Sequence, residues 1–485
     1  MGFRRASLWM LMAMTAPAAA QDLTASDLGW PSSTTAATTK RRIEVLEQPR
    51  GGDQVASIAA GTYVTWKKIV ATADACRAWL LLEPRGWACA KDLAPAGAPP
   101  SPAAPSTGKA AEVRAAASAY ADVSAIRTAK PNKRIDAGTR VTLRAATAGV
   151  DGANYVLTDV GWIAADQLSS KFEPAAWRGI ELASAAALDF GWAVSRIPGQ
   201  KVAVRDAPSA KGRLVRQLSP RDLVTLRAAT AGFTQIGDGE WVDTAEVRQI
   251  VQRPRPDGVG ASERWIDVDI QHQTLIAYEG DAPRFVTLIS TGKFEVWGTP
   301  TGIHRIVTKE PSAHMASPRD MPPMPDGTPR ETWDVSNVPH VMFYRRNFAL
   351  HGAYWHDGFG RARSHGCINL SPPDAQRVYE FASPTAPKGW SSVRTSANDG
   401  TPVRIRASWD PNPKWLDYNG TPLEKRDGAW VARTWRSPSR SPSRTPAVTP
   451  APAPAPVAPA PTPRSPTAAN VPAKSLYMSG PPSPE

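Results

Sequence analysis

Among its 485 residues the sequence has only three cysteines and, after residue 20, no apolar run of the roughly 20 residues that crossing a bilayer requires. It also has no basic run interleaved with aromatic residues, so its net charge of +13 does not indicate a nucleic-acid surface. These absences exclude a polytopic membrane protein and argue against a nucleic-acid partner. An anionic wall polymer suits the positive charge better.

The first 20 residues have the pattern of a secretory signal peptide. A basic start at residues 1–5 is followed by an apolar run at 6–16 and by small residues at 18–20. The apolar run is too short for a membrane anchor, which is the alternative. We therefore predict cleavage before Gln21 and an exported protein, located in the periplasm or cell wall, with no membrane span after cleavage.

The odd number of cysteines matters in an oxidising compartment, because one thiol then has no partner within the chain. Cys76 and Cys89 lie close together in one small segment, and we predict a disulfide between them. Cys367 is distant from both and is predicted to remain free. Three inert buried thiols are the alternative, but an unpaired exported thiol is open to oxidation and is usually kept for a reason.

An internal repeat occupies the first half of the chain. The nonapeptide at 141–149 recurs without change at 224–232, and a tryptophan-bearing segment follows each copy. A fainter copy begins near Gly61. Alternating apolar and polar residues, broken by Gly, Pro and Asp, predict one small β-barrel for each copy. The predicted barrels are 38–95, 118–170 and 191–250, with a linker at 96–117 and a flexible Ala/Pro-rich stretch at 94–106.

These three units resemble the bacterial SH3-like modules that flank cell-wall enzymes. At the other end, residues 430–485 are rich in Pro, Ala and Ser and cannot bury enough apolar area to fold, so we predict a disordered tail. The predicted fold class is mainly β: three small SH3-like β-barrels, a β-rich catalytic domain at 263–407, and the disordered Pro/Ala-rich tail.

Residues 263–407 alternate in the manner of short strands separated by polar turns. Within them, residues 310–332 are rich in Pro, Met and Gly without a period, which predicts a long loop forming one wall or lid of a cleft. The last strand before the key motif ends at His351. The predicted strands are 264–270, 273–278, 284–290, 303–307, 341–344 and 348–350.

The decisive motif is His351-Gly352, eleven further residues, and then Ser364-His365-Gly366-Cys367-Ile368-Asn369. Directly after it, Ser371 with two prolines and Asp374 is typical of a helix N-terminus. Cys367 is therefore predicted on a turn between sheet and helix, where backbone N–H groups can point at an oxygen that bears negative charge.

Such a site suits acyl transfer by a cysteine. A thiol with a pKa near 8.5 is mostly protonated at neutral pH, so an imidazole must take its proton or stabilise the thiolate. His365 is only two residues from Cys367, whereas His351 comes across the sheet from a separate strand and can face the sulfur. We predict that His351 is the base.

The motif resembles the signature of the L,D-transpeptidase catalytic domain, often called the YkuD-type fold. The strand with Asp267 and Asp269, the turn at 299–302 and the closing strand at 400–405 are also similar to that family. The resemblance implies that Cys367 attacks the carbonyl after the third residue of a peptidoglycan tetrapeptide stem. The terminal D-alanine leaves, and an amine from a neighbouring stem resolves the thioester as a cross-link.

The resemblance also implies roles for individual residues. Cys367 would be the nucleophile and His351 the proton donor and acceptor, oriented by the backbone carbonyl of Gly352. The amides of His365, Gly366 and Cys367 would form the oxyanion hole. No cofactor and no metal are implied. Substrate-binding roles fall on Tyr344, Arg363, Ser364 and Asn369, with structural support as the other role for Tyr344, Arg363 and Asn369.

The same residues are compatible with several alternative functions. His351, His365 and Cys367 could supply three zinc ligands, but a metal would compete with the thiolate and a fourth ligand is not evident. A papain-like amidase has its cysteine before its histidine, the opposite of the order here. The acceptor could be another stem, a lysine of a wall-anchored lipoprotein, or water, the last giving an L,D-carboxypeptidase. A wall-binding protein with a degenerate catalytic domain is the alternative outside enzymes.

Overall fold

The computed structural model of the protein describes residues 22–97, 106–169, 177–183, 188–293, 297–317, 323, 327, 333–395, 399–426 and 429–432. The predicted signal peptide and the tail from residue 433 onward lie outside these ranges. Within them the chain is mainly β, as its alternating pattern predicts. No helix in the described part is both long and apolar enough to cross a membrane.

The first unit, residues 22–97, packs antiparallel strands around an apolar core that includes Val45, Ile58 and Leu80. The predicted disulfide between Cys76 and Cys89 is confirmed, with Cα atoms 5.6 Å apart. Short 3-10 helices lie at Ser26–Leu28 and Ala90–Asp92. The strands are Asp22–Leu23, Ala36–Thr39, Ile43–Gln48, Gly51–Ile58, Tyr63–Ala71, Ala78–Leu82, Trp87–Cys89 and Leu93–Ala96.

The second unit, residues 106–169, begins earlier than the sequence predicts. Its first strand, Ser106–Glu112, pairs with Arg140–Val150, so part of the predicted linker over 96–117 is a strand. Residues 98–105 of that linker lie outside the described residues. Asp122 caps the short helix Val123–Arg127, and a 3-10 helix lies at Ala165–Gln167. The other strands are Ala117–Ala119, Lys133–Ile135, Ala153–Thr158 and Gly161–Ala164.

The third unit, residues 188–250, forms two small sheets around Val202, Val204 and Val242. Asp243 caps the 3-10 helix Thr244–Glu246. The strands are Phe190–Ala193, Val202–Arg205, Leu214–Leu218, Leu223–Thr225, Ala228–Thr230, Phe233–Gly237, Glu240–Asp243 and Val247–Gln249.

Two β-sheets and one helix build the catalytic domain. In each sheet one pair of neighbouring strands runs parallel, Arg264–Asp269 with Pro402–Arg406 and Phe348–Gly352 with Ile368–Leu370. In spatial order, the first sheet contains Ile180–Glu181, Ala282–Leu288, Thr274–Glu279, Arg264–Asp269, Pro402–Arg406 and Gly302–Arg305. The second contains Ile368–Leu370, Phe348–Gly352, Asp334–Arg345, Thr308–Ala316 and Trp390–Arg394.

The second sheet does not end at the domain boundary. Strand Trp390–Arg394 pairs with Gly51–Ile58 of the first unit, so one sheet runs through both. Strand Thr308–Ala316 also corrects the sequence prediction, because residues 310–316 are paired with Asp334–Arg345 and do not form a loop. A last hairpin, Leu423–Arg426 with Ala429–Ala432, overlaps the start of the predicted tail at residue 430.

The apolar faces of the two sheets and of the helix meet in one core, which includes Val268, Leu350 and Val378. The helix spans Pro372–Phe381 and begins as predicted, with the hydroxyl of Ser371 accepting the N–H of Asp374 at 3.3 Å. Buried Lys309 donates through Nζ to three carbonyls at the far end of the helix, where a cation is favourable. The three acceptors are the carbonyls of Tyr379, Ala382 and Pro384.

A buried ionic cluster joins the first sheet to the third unit. Arg404 contacts Asp267 at 2.7 Å, and Arg406 contacts Asp267 at 3.0 Å and Asp269 at 2.6 Å. The two guanidinium groups also donate to the carbonyls of Pro254 and Val251, in the segment that leaves the third unit. This cluster therefore links that segment to the first sheet.

Candidate active site

The parallel pairing of two short strands brings the predicted base and nucleophile together. Strand Phe348–Gly352 lies beside Ile368–Leu370, with His351 opposite Asn369. Cys367 is the residue directly before the second strand. Cys367 and His351 therefore line the same cleft, which has a volume of about 1040 Å³.

The imidazole of His351 is buried and held by its own neighbour. Its Nδ1 lies 3.2 Å from the carbonyl oxygen of Gly352, the contact predicted for this pair. A carbonyl can only accept, so Nδ1 carries the proton and Nε2 is the nitrogen free to take one. Trp355 stacks against the ring with centroids 5.8 Å apart and limits its rotation.

Cys367 is half-buried on a turn that depends on glycine. Gly366 has φ +118°, and a Cβ there would lie 2.7 Å from the Phe348 ring. The hydroxyl of Thr299 donates to the Gly366 carbonyl at 2.8 Å and accepts the N–H of Gly292 at 2.9 Å. The turn before strand Gly302–Arg305 thus supports the nucleophile turn.

Burial favours the neutral form of both reacting groups. Loss of water around the sulfur raises the pKa of Cys367 to about 11, although a hydrogen bond from the Ala349 backbone lowers it. Burial lowers the pKa of His351 to about 4, against the effect of the Gly352 carbonyl. These shifts favour a thiol and a neutral imidazole at neutral pH.

Several predicted roles change in the structure. The Gly366 N–H donates to Ser364 Oγ at 3.1 Å, so this predicted oxyanion-hole amide is already occupied. Ser364 Oγ in turn donates to the Cys367 carbonyl, so the hydroxyl shapes the turn. Tyr344 is fully buried in the core and is not among the residues that line the cleft, so its position fits the structural support that was the other role considered for it.

Arg363, His365 and Asn369 do line the cleft. The His365 ring stacks on Trp333, with centroids 4.3 Å apart. Asn369 is buried and its amide lies 3.0 Å from Nε2 of His356. Among the residues that the structure describes, no group of three or more His, Cys, Asp or Glu side chains is placed to hold a metal ion.

One side of the cleft is formed by the loop between base and nucleophile, residues 353–363, here named the loop wall. Ser290 Oγ donates to the Gly358 carbonyl at 3.1 Å, and Gly360 N–H donates to the Ile289 carbonyl at 2.8 Å. Arg248 of the third unit donates to the Gly360 carbonyl at 2.6 Å. The loop wall is therefore held from the first sheet and from the third unit together.

Two further contacts join the loop wall to the third unit. Arg361 donates to the Ser195 carbonyl, and Arg221 forms an ion pair with Asp357 at 2.7 Å. Through these two contacts the third unit packs against the residues that connect His351 with Cys367.

The opposite side is formed by residues 311–316 and 333–339 of two paired strands, here named the ribbon wall. His314, Met315 and Trp333 reach the cleft from it. The Trp333 ring contacts both His365 and Trp297, at centroid distances of 4.3 and 5.5 Å. The prediction of a cleft wall from this part of the sequence agrees with these positions, although the predicted loop is partly strand.

The motif did not indicate some of the residues that support the site. Thr299 and Ser290 act through backbone contacts made across the fold, and the sequence gives no sign of them. The unusual histidine at 356 is visible in the sequence, but its partner, Asn369, is set by the three-dimensional fold.

Residues 263–405 match the family model described as YkuD: L,D-transpeptidase catalytic domain. The chain is similar to the NMR structure of the catalytic domain from E. faecium L,D-transpeptidase, at 24% identity over 30% of this chain and 98% of that chain, with TM-score 0.23. No curated protein matches the chain.

Two crystal structures of L,D-transpeptidases are also similar. The one from Stackebrandtia nassauensis has 22% identity over 30% of this chain and 57% of that chain, with TM-score 0.21. The one from Mycobacterium tuberculosis H37Rv has 18% identity over 40% of this chain and 69% of that chain, with TM-score 0.22. From the match at residues 263–405, the chain contains a YkuD-type L,D-transpeptidase catalytic domain.

Proposed function

We propose that this protein is an exported peptidoglycan L,D-transpeptidase that works through a thioester on Cys367. The observation that carries the proposal is the placement of Cys367 and His351 in one cleft, with Nδ1 of His351 tied to the Gly352 carbonyl. This arrangement leaves Nε2 as the base and presents sulfur to an acyl group. No cofactor is needed for such a transfer.

The reaction has two steps. Nε2 of His351 takes the thiol proton as Sγ attacks the carbonyl carbon after the third stem residue, and the developing oxyanion is met by backbone amides of the turn. The imidazolium then protonates the leaving amine, and D-alanine departs. In the second step an acceptor amine attacks the thioester, gives its proton to His351, and releases the Cys367 thiol with formation of an amide.

The three N-terminal units fit a supporting role. They are proposed to be SH3-like modules that hold the enzyme to the wall, and the positive net charge of the chain suits an anionic polymer. The cleft is lined by catalytic-domain residues and by none from the described parts of these units. Their part in the reaction is therefore docking and support.

The test is incubation of the mature protein with disaccharide-tetrapeptide, wild type beside Cys367→Ala, with mass spectrometry of the products. Cross-linked dimer and free D-alanine, from wild type alone, are expected. D-alanine without dimer would make the protein an L,D-carboxypeptidase. A conjugate of the stem with an added lysine-bearing peptide, formed without dimer, would make a lipoprotein the acceptor. No product, with Cys367 also inert to a carbapenem, would favour a wall-binding protein.

A further inference from the structure

The hydrogen bonds around His356 determine where its proton lies. The backbone N–H of Gly358 donates to Nδ1 of His356 at 3.2 Å, so Nδ1 carries no proton. A neutral imidazole has one N–H, which must then be on Nε2. Burial and three nearby groups, Arg363, His351 and Arg221, lower the pKa of His356 to about 3, so the ring is neutral in the working pH range.

This proton fixes the orientation of the Asn369 amide. Nε2 of His356 lies 3.0 Å from the terminal amide of Asn369, and an N–H there requires an oxygen as its partner. The two ends of an amide have the same shape, so the hydrogen bonds decide which end is oxygen. The carbonyl end of Asn369 therefore faces His356, and its NH₂ group takes the other position.

The second position of the Asn369 amide, which the NH₂ group takes, is buried and has no hydrogen-bond partner among the described residues. Asn369 is 2% exposed and lines the cleft two residues after Cys367. A buried donor without a partner costs about 1–3 kcal/mol, and an acceptor that reaches it recovers this cost. A desolvated donor at the floor of a cleft is thus prepared for an oxygen of a bound molecule.

We infer that His356 is a positioning residue: its Nε2–H holds the carbonyl of Asn369 so that the Asn369 NH₂ group presents a donor to a carbonyl or carboxylate oxygen of the bound stem peptide. The inference deepens the proposed function and rests on it for the identity of the ligand. The assignment of the proton and of the amide does not depend on the reaction.

The surroundings keep this pair in place. The backbones of Asn369 and Ser290 exchange two hydrogen bonds. The Asn369 N–H donates to the Ser290 carbonyl at 2.8 Å, and the Ser290 N–H donates to the Asn369 carbonyl at 2.9 Å. Ser290 Oγ also donates to the Gly358 carbonyl, so Gly358, the residue whose N–H donates to Nδ1 of His356, is itself held in place. The His356 ring packs on Phe359, with centroids 5.0 Å apart.

The first measurement is the tautomer of His356 by NMR in the mature chain labelled with ¹⁵N-histidine, with the resonance assigned by its loss in His356→Gln. The Nε2–H form is expected. The Nδ1–H form would turn the Asn369 carbonyl towards the cleft and would overturn the inference.

The second measurement compares variants. For each, kcat/KM on disaccharide-tetrapeptide is divided by the rate at which iodoacetamide alkylates Cys367, which removes effects on the thiol itself. His356→Phe keeps the ring shape but has no N–H, and the ratio is expected to fall about tenfold, mainly through KM. In His356→Gln the side-chain amide can replace Nε2–H, and most of the ratio should return.

A third variant tests the donor directly. Asn369→Asp still accepts from His356 but has no NH₂ group, so the ratio should fall at least as far as in His356→Phe. Unchanged ratios in His356→Phe and Asn369→Asp would overturn the positioning role. If the wild type alkylates normally and shows the Nε2–H form but does not act on the stem, the proposed function fails while the hydrogen-bond assignment stands.

Discussion

The two walls of the cleft are held in different ways. The loop wall, residues 353–363, is fixed by backbone hydrogen bonds to the first sheet and by guanidinium contacts with the third unit. The ribbon wall, residues 311–316 and 333–339, is held by its own strand pairing, by a hydrogen bond from Asn337 to the Arg140 carbonyl, and by the Trp333 ring on His365.

Because the two walls are held differently, we expect the loop wall to influence the chemical step and the ribbon wall to influence substrate binding. The loop wall connects His351 to Cys367, so a displacement of it moves the reacting groups relative to each other. The ribbon wall brings side chains to the cleft without forming part of that connection. We therefore expect loosening of the loop-wall backbone to lower kcat. Changes in side chains that meet the substrate, on the ribbon wall or at Asn369 and its partner His356, should raise KM.

The largest effect is expected at the base itself. His351→Asn removes the nitrogen that takes the thiol proton, and carbapenem acylation of Cys367 should slow by about 10³-fold, within the range for loss of a general base. His365→Asn is the matched comparison, because that ring stacks on Trp333, and its loss should cost no more than about tenfold. Equal losses, measured by intact-protein mass spectrometry, would contradict the assignment of His351 as base.

The resting state of the pair predicts a pH dependence. Because the pKa of Cys367 is raised to about 11, the thiolate fraction grows about tenfold per pH unit below that value. Alkylation by iodoacetamide should therefore rise about a hundredfold from pH 7 to pH 9. Carbapenem acylation uses the neutral pair and should change little over this interval, since the pKa of His351 is about 4. An alkylation rate that is already level above pH 5 would indicate a thiolate–imidazolium pair and would contradict this account.

Arg248 offers a way to loosen the loop wall from a distance. Arg248→Ala removes the charged donor to the Gly360 carbonyl, a contact of the class that stabilises by about 1.5–3 kcal/mol. We expect kcat on the tetrapeptide to fall about tenfold with little change in KM. Arg213→Ala, in the same unit, is the control, because Arg213 is exposed and pairs with Asp206 within that unit. A similar effect from both variants would show that the third unit acts only through its stability.

The smallest effect is expected on the ribbon wall. Trp333→Ala removes ring contacts with His365 and Trp297, each worth about 0.5–1.5 kcal/mol. KM for the tetrapeptide should rise about threefold to tenfold while kcat stays within about twofold. Trp409→Ala, at an exposed tryptophan just after this domain, is the control. A fall in kcat with unchanged KM would reverse the division of roles between the two walls.

Much of this site could be predicted from local patterns. Ser371, two prolines and Asp374 specify a helix start whatever surrounds them, and the helix begins there. The close spacing of Cys76 and Cys89 within one small unit predicts their disulfide correctly. Local signals succeeded where the interaction lies within a few residues or within one small unit.

The repeated nonapeptide shows why other features could not be predicted. At 141–149 it lies within one strand, Arg140–Val150, whereas at 224–232 it is divided between Leu223–Thr225 and Ala228–Thr230. At the turn next to the first copy the residues with positive φ are Asp151 and Gly152, beyond the nonapeptide. At the turn next to the second copy they are Ala231 and Gly232, within it. The Asp-Gly pair after the first copy moves the turn, so the same nine residues take two structures.

Contacts between segments that are distant in the chain could not be predicted from sequence patterns either. Arg248 and Gly360 meet only after the third unit has packed against the loop wall. The chemistry of neither residue specifies the other. Tyr344 shows the same limit, because its position in the core follows from the packing of the two sheets.

In the proposed reaction Cys367 carries the acyl group as a thioester. The most direct test of this step is to quench the wild-type protein at acid pH during reaction with disaccharide-tetrapeptide, digest it with trypsin, and map the adduct. If Cys367 forms the thioester, the peptide of residues 364–377, which contains it, gains the mass of the donor without D-alanine. The Cys367→Ala variant then shows no adduct. An adduct on any other peptide, or product formation by Cys367→Ala, would contradict it.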